Sequence, residues 1–171
     1  MRVERFPAQD VYAQSAEVIG AHLSAGEDVI VLCEGDPFFY GSFMYLFARL
    51  ADRFPTEIVP GVSSLGACSA ALRRPLTARN DVLTVIPGPL PDDEMRAKID
   101  AAEAIAIMKV GRHLPRILAL LGEMNLTEQA GYIERASLSE QTVLPLSDAP
   151  DSAPYFSMIL IYKGDDPWLT P

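Results

Sequence analysis

Two short loops rich in glycine, acidic residues and serine are the segments of this sequence whose residue types could do chemistry. The first, CEGDPFFYGS, covers residues 33–42, and the second, PGVSS, covers residues 60–64. Each follows an apolar run that is typical of a buried strand. Glycine lets a backbone approach a ligand closely or adopt a positive φ, and Pro37 prevents the strand from continuing. Open α/β sheets bind ligands at such loops, beyond the carboxyl ends of their strands.

The acidic side chains of the first loop restrict the kind of ligand. Glu34 and Asp36 would repel a phosphate, and neither loop matches a GxGxxG dinucleotide fingerprint or a GxxxxGK[ST] phosphate loop. A ligand that carries hydroxyls, an amine or a positive sulfonium fits better. A structural interpretation is also open at this point: Asp36 caps the following helix, and the glycines make tight turns.

The elements that position these loops alternate between strand and helix patterns. The first block predicts a strand covered on both faces over residues 28–33, a second strand over 56–59, and helices over 11–25, 41–53 and 63–73. The second block predicts helices over residues 92–102 and 113–124 and strands over 82–86, 104–109, 130–137, 141–144 and 155–163. The expected fold class is therefore α/β, with two small domains at residues 1–80 and 81–171. The second domain should contain a mixed sheet, because its last strands have no helices between them.

Composition limits the partners of the chain. A net charge of -9 over 171 residues argues against nucleic acid and anionic membranes, and no apolar stretch is long enough to span a bilayer. The N-terminus lacks the apolar core of a signal peptide, so the expected location is the cytoplasm. Cys33 and Cys68 are expected to be buried thiols. His22 and His113 are isolated, so no metal site is expected.

CEGDPFFYGS followed by PGVSS resembles the tetrapyrrole methylase family, whose members transfer methyl groups from S-adenosylmethionine to corrin and sirohaem precursors. RNDVLTVIPGPLP, AIMKVGRHLP, YIERAS and PYFSMILI resemble successive second-domain segments of that family, in the right order. The resemblance covers nearly the whole chain. Within the family, the sequence is most similar to the branch that methylates precorrin-2 at carbon C20 in cobalamin biosynthesis.

The resemblance implies that S-adenosylmethionine binds in a cleft between the two α/β domains. It also implies a tetrapyrrole substrate (precorrin-2 or its cobalt form), a homodimer, and no metal held by the protein. Carried over by motif, the implied donor contacts are Glu34, Gly35, Asp36, Phe39, Ser63, Ser64, Met108, Ala136, Pro154 and Tyr155.

Methylation at C20 needs little covalent help from the protein, because a sulfonium methyl is already activated and the ring carbon is nucleophilic. Alignment and exclusion of water would supply the catalysis. No general base is assigned: Tyr132, Glu134 and Arg135 are polar candidates, and each is equally compatible with an ordinary exposed strand residue. A substrate with many carboxylates would need local cations, and those expected near loop ends are Arg73, Arg74, Arg79, Lys109, Arg112 and Arg135. Ordinary solvated surface charge is the alternative interpretation for each of them, and the favoured one for most.

One family segment has no counterpart here. The family begins with a strand that ends in a GxGPGDP loop, and this sequence starts after that point, so its N-terminal domain is expected to be truncated and its activity alone to be low. The alternatives are another corrin or sirohaem methyltransferase and an inactive cofactor-binding fragment. The ribosomal-RNA ribose methylases of the same family are disfavoured by the acidic charge. An in-frame GxGPGDP motif in the DNA upstream of Met1 would favour a complete methyltransferase over an inactive fragment.

Overall fold

The computed structural model describes residues 8–166, and the remaining ends of the two predicted domains lie outside that range. The chain divides into two compact units, of which the first ends at Ser63 and the second begins at Ser64. The domain boundary predicted from the sequence, between residues 80 and 81, refers to domains that fold independently. It stays a prediction.

The first unit contains two helices, α1 (Ala8–Ser24) and α2 (Phe43–Leu50). Helix α1 is closed by Gly26, which has a φ of +80°: the N–H groups of Gly26 and Glu27 donate to the carbonyls of Leu23 and His22, each at 3.1 Å. This pair of bonds satisfies carbonyls that the end of a helix leaves without partners. The two helices pack on each other within the unit.

The two strands predicted in the first unit are wrong. Residues 28–33 and 56–59 lie outside any strand or helix. The side chains of residues 28–33 are exposed where burial was expected, with Ile30 at 85% and Leu32 at 91% exposure. The physical reason is the missing partner: an apolar run becomes a strand only when a neighbour completes its hydrogen-bond ladder. Within residues 8–166, neither segment has such a neighbour.

The second unit is built on a five-stranded mixed sheet, as the sequence predicts. The spatial order is β1-β2-β5-β3-β4, with β1 parallel to β2 and every other pair antiparallel. The strand bounds are β1 Leu83–Pro87, β2 Ala104–Met108, β3 Ala130–Glu134, β4 Thr142–Pro145 and β5 Ser157–Tyr162. The helices of this unit are α3 (Ser64–Leu72), α4 (Asp92–Asp100) and α5 (Leu114–Glu123).

The strand register brings the core residues of four strands into one row. Ile86, Ile107, Ile159 and Tyr132 are successive cross-strand neighbours, and all four are fully buried. They belong to the same core cluster as the apolar residues of α4 and α5. Alternation along a strand places these residues on one face of the sheet, so both helices cover that face.

The cysteines differ from each other. Cys68 is buried in α3, as expected, and burial raises the pKa of its thiol to about 11. The expectation for Cys33 is wrong, because it belongs to the exposed segment 28–33 that forms no strand. No helix within residues 8–166 is long and apolar enough to cross a membrane.

Candidate functional site

Asp36 ties the two glycine loops of the first unit together. Its Oδ1 accepts a hydrogen bond from the Phe38 N–H at 2.9 Å, and its Oδ2 accepts one from the Gly61 N–H at 3.2 Å. Asp36 does not cap a helix, because α2 begins only at Phe43. The capping interpretation is therefore replaced by a link between loops. Sequence analysis missed this link because its partners are far apart in the chain.

The backbones of the two loops approach each other so closely that only glycine fits. Gly35 has a φ of +85°, in the left-handed region. A Cβ atom on Gly61 would lie 2.2 Å from the Gly35 carbonyl oxygen and 2.8 Å from its carbonyl carbon. Both glycines are exposed, so the joined loops present backbone groups to solvent and to a ligand.

The other donor contacts predicted near these loops differ in their surroundings. Glu34 is exposed, whereas Phe39 is half-buried, with its ring centroid 5.1 Å from that of Tyr40. Ser63 is half-buried and is the last residue of the first unit. Ser64 belongs to the second unit, where it is the first residue of α3. Their contact with a methyl donor stays a prediction.

Three strand ends of the second unit meet at one edge of the sheet, which we call the Met108 edge. Strand β2 ends at Met108, β3 ends at Glu134, and β5, which runs between them in the opposite direction, begins at Ser157. The register pairs Met108 with Met158 and Glu134 with Ser157. The loops that leave these strands are therefore neighbours.

The loop before β5 is fastened to this edge by short hydrogen bonds. The Arg135 N–H donates to the Phe156 carbonyl at 2.8 Å, and the Ser157 hydroxyl donates to the Pro154 carbonyl at 2.8 Å. Ala136 follows Arg135 directly. The structure thus gathers the later predicted donor contacts at the Met108 edge, namely Met108, Ala136, Pro154 and Tyr155.

The polar candidates of β3 form a chain of contacts. Tyr132 is fully buried, and its hydroxyl donates to Glu134 Oε1 at 2.6 Å. Burial, aided by the Glu134 carboxylate, raises the pKa of Tyr132 well above its usual range. The shift further stabilises the protonated phenol, which keeps its hydrogen bond to Glu134. The Arg135 Nη1 lies 3.7 Å from Glu134 Oε2, at the end of the chain.

Four of the cationic residues predicted near loop ends have a strained backbone, which the sequence did not indicate. Positive φ angles occur at Arg73, Arg79, Lys109 and Arg135, with values of 54°, 42°, 56° and 48°. Each such residue costs about 1 kcal/mol, and such strain concentrates at functional sites. Lys109 and Arg135 directly follow β2 and β3, so two strained cations flank the start of β5 at the Met108 edge.

A surface groove of about 530 Å³ lies elsewhere in the second unit and was not predicted from the sequence; it is lined by Pro89, Leu90, Pro91, Asp92, Asp93, His113 and Arg116. Arg116 is already bound to the Asp92 carboxylate and the Gly88 carbonyl. Partial burial and two neighbouring arginines lower the pKa of His113, so its imidazole is neutral at pH 7. The groove therefore offers little uncompensated positive charge to a polycarboxylate.

No group of three or more His, Cys, Asp or Glu side chains among residues 8–166 is arranged to hold a metal ion. The expected absence of a protein-bound metal stays a prediction for the whole chain.

Comparison with known proteins places this fold and these loops in a family. Residues 1–150 match the family described as Tetrapyrrole (Corrin/Porphyrin) Methylases. The chain is a member of the tetrapyrrole methylase family. The resemblance of the loop motifs to that family is thereby confirmed.

Two curated relatives of this tetrapyrrole methylase are similar over most of its length. It is 44% identical over 153 residues to a precorrin-2 C(20)-methyltransferase of Sinorhizobium sp., covering 89% of this chain and 62% of the relative. It is 40% identical over 182 residues to the cobalamin biosynthesis protein CobIJ of Mycobacterium tuberculosis, covering 95% of this chain and 36% of that protein. The chain thus spans less than two thirds of the length of either relative.

Solved structures confirm the α/β fold of this tetrapyrrole methylase. The methyltransferase CobJ superimposes with a TM-score of 0.67 at 21% identity, covering 94% of this chain and 73% of CobJ. The uroporphyrin-III C-methyltransferase of Thermus thermophilus complexed with S-adenosylhomocysteine gives a TM-score of 0.62 at 23% identity, over 86% of this chain and 72% of that chain. At these identities the similarity concerns the fold.

Proposed function

We propose that the protein is an S-adenosylmethionine-dependent C-methyltransferase that methylates precorrin-2, or its cobalt form, at C20 in cobalamin biosynthesis. The observation that carries the proposal is the pair of glycine loops joined through Asp36, because it gives the family's donor-binding motif a physical form. The name and the 44% identity of the Sinorhizobium relative support the choice of substrate.

The residues present fit a methyl donor. Gly35 and Gly61 are exposed and carry no side chain, so their backbone groups are open to a ligand. The acidic side chains of Glu34 and Asp36 favour a positive sulfonium over an anion. The proposed donor-binding residues remain Glu34, Gly35, Asp36, Phe39, Ser63, Ser64, Met108, Ala136, Pro154 and Tyr155. When bound, the donor supplies an activated sulfonium methyl group.

The role of the protein in the reaction is alignment. Asp36 fixes the distance between the two loops, and the Met108 edge is held by the bonds of Arg135 and Ser157. Because these loops are held in place, less entropy is lost when the donor and the substrate reach the transition state of methyl transfer. No general base is assigned. The burial of Tyr132 and the hydrogen bond from its hydroxyl to Glu134 support a structural role for that residue.

We also propose a homodimer located in the cytoplasm, without nucleic-acid or membrane partners. Helix α2 supports the dimer, because its sequence FMYLFARL is largely apolar while Leu50 is its only fully buried residue. The net charge of -9 supports the absence of nucleic acid. Sedimentation at micromolar concentration tests the dimer, and a stable monomer would remove it.

The test of the function is transfer of a ¹³C-labelled methyl group from S-adenosylmethionine to enzymatically prepared precorrin-2, followed by NMR of the product. The assay compares residues 1–171 with a protein extended by any in-frame upstream segment. Donor-dependent label at C20 in either protein supports the proposal. Donor binding with label at another carbon would instead support a different tetrapyrrole methyltransferase.

A further inference from the structure

An exposed aromatic pair stands at the Met108 edge, between two cations. Tyr155 is 72% exposed and Phe156 is 57% exposed, and their ring centroids are 5.2 Å apart at an interplanar angle of 76°. Aromatic rings that face water cost hydration free energy, and burying them against a flat ligand recovers it. The pair also lies in a loop whose backbone is fastened on both sides, so its position is fixed.

The flanking cations give this pair a chemical selectivity. Strand β5 separates β2 from β3, so the residues after those two strands, Lys109 and Arg135, are about 10 Å apart across the start of β5. The Arg135 guanidinium lies beside the Glu134 carboxylate, and the Tyr132 hydroxyl fixes that carboxylate by donating a hydrogen bond to it. At 3.7 Å this ion pair exceeds hydrogen-bonding distance, so the guanidinium keeps donors for a ligand carboxylate.

We infer that Tyr155 and Phe156 form a platform for the flat tetrapyrrole ring and that Arg135 binds one of its peripheral carboxylates. The inference rests on the proposed function for the class of substrate. It adds Phe156 and Arg135 to the site and gives Tyr155, already proposed as a donor contact, a second contact with the ring. The ligand that fits these residues is a broad, partly apolar ring with anionic groups around its rim. Another aromatic pair, formed by the half-buried Tyr12 of α1 and the 50% exposed Tyr45 of α2, serves as the comparison.

The experiment uses uroporphyrin III, a flat ring with eight carboxylates, as a fluorescent probe titrated with residues 1–171. Phe156→Leu keeps an apolar side chain but removes the aromatic face, and it should weaken porphyrin binding roughly three- to tenfold. Arg135→Gln should weaken it about tenfold. Arg135→Gln should weaken binding of a dicarboxylate porphyrin less, because a ring with two carboxylates places one of them at Arg135 in fewer of its bound orientations.

Matched controls separate this subsite from general effects. Tyr45→Leu alters the other aromatic pair, and Arg96→Gln alters a cation with 40% side-chain exposure, close to the 41% of Arg135. Both controls should leave porphyrin affinity within about twofold. Far-UV circular dichroism of every variant confirms that the fold is retained.

The outcomes for the subsite and for the proposed function are distinct. S-adenosylhomocysteine affinity, measured by calorimetry, should change less than about twofold in Phe156→Leu while porphyrin affinity falls. Equal porphyrin affinity in wild type and Phe156→Leu, or no saturable porphyrin binding by the wild type, overturns the subsite. An unchanged KM for precorrin-2 in Phe156→Leu, with labelled transfer intact, would overturn the subsite alone. Absence of donor binding in the wild type would count against the proposed function.

Discussion

Replacing Gly61 with alanine tests whether the close approach of the two loops builds the donor site. The added Cβ would lie 2.2 Å from the Gly35 carbonyl oxygen, whereas ordinary contact begins near 3.4 Å. The loops must therefore separate by about 1.2 Å, the difference between these two distances. The obstacle is backbone rather than a flexible side chain, so local rearrangement of a rotamer does not relieve it.

Two energetic consequences follow from that separation. Overpacking of this size costs about 1–3 kcal/mol of stability. The hydrogen bond from the Gly61 N–H to Asp36 Oδ2, now 3.2 Å long, is also lost, and a solvent-accessible bond of this kind contributes about 1 kcal/mol. If the donor binds the close arrangement of the loops, restoring that arrangement in the complex costs the same strain of about 1–3 kcal/mol. Donor affinity should therefore fall about ten- to hundredfold.

The assay is calorimetric titration with S-adenosylhomocysteine, alongside urea unfolding. Gly122→Ala is the matched control, because a Cβ at Gly122 would meet no atom within 4 Å and the residue lies inside α5. This control should bind the ligand like the wild type and be more stable by about 0.5–1 kcal/mol. Wild-type donor affinity in a folded Gly61→Ala protein would refute the reasoning and place the donor elsewhere.

Three further predictions concern reactivity, pH and solubility. At pH 8 a thiol reagent should label Cys33 rapidly and leave Cys68 unreacted, because burial raises the Cys68 pKa to about 11; two equivalents of label in the folded protein would contradict this. Glu103 accepts the Val82 N–H at 2.9 Å, which lowers its pKa, so its contribution to stability is present above its unfolded pKa and is lost as pH falls through the folded value. Urea unfolding between about pH 6 and pH 3 should show a smaller loss of stability in Glu103→Gln than in wild type. Leu32→Lys should reduce self-association in light scattering, because it removes a side chain that is 91% exposed from an unpaired apolar segment; unchanged scattering would assign self-association to another surface.

The sheet of the second unit was predictable because its information is local. Each strand there has an apolar pattern, a turn signal and a partner within residues 83–162, so pattern and tertiary context agree. The apolar run at residues 28–33 has the same local pattern, yet no partner within the described chain, and it forms no strand. Local pattern therefore indicates what a segment can form, and pairing decides what it does form.

The candidate site was predictable in its residue types but not in its contacts. The motif identified Asp36 and the loop of Gly61, whereas the bond between them joins positions 25 residues apart and appears only in the fold. The strained backbone of Lys109 and Arg135 likewise has no sequence signal, because lysine and arginine have no special preference for positive φ. Phe156 was missed as a site residue because an aromatic in a strand pattern ordinarily indicates core.

The central claim is that the glycine loops build a site for the methyl donor, and calorimetric titration of residues 1–171 with S-adenosylhomocysteine tests it most directly. The account predicts saturable binding that is abolished in Gly35→Val, because Gly35 has a φ of +85° and a branched side chain there blocks the approach of the backbone to the ligand. No saturable binding to the wild type at millimolar ligand, or equal binding to Gly35→Val, would contradict the account.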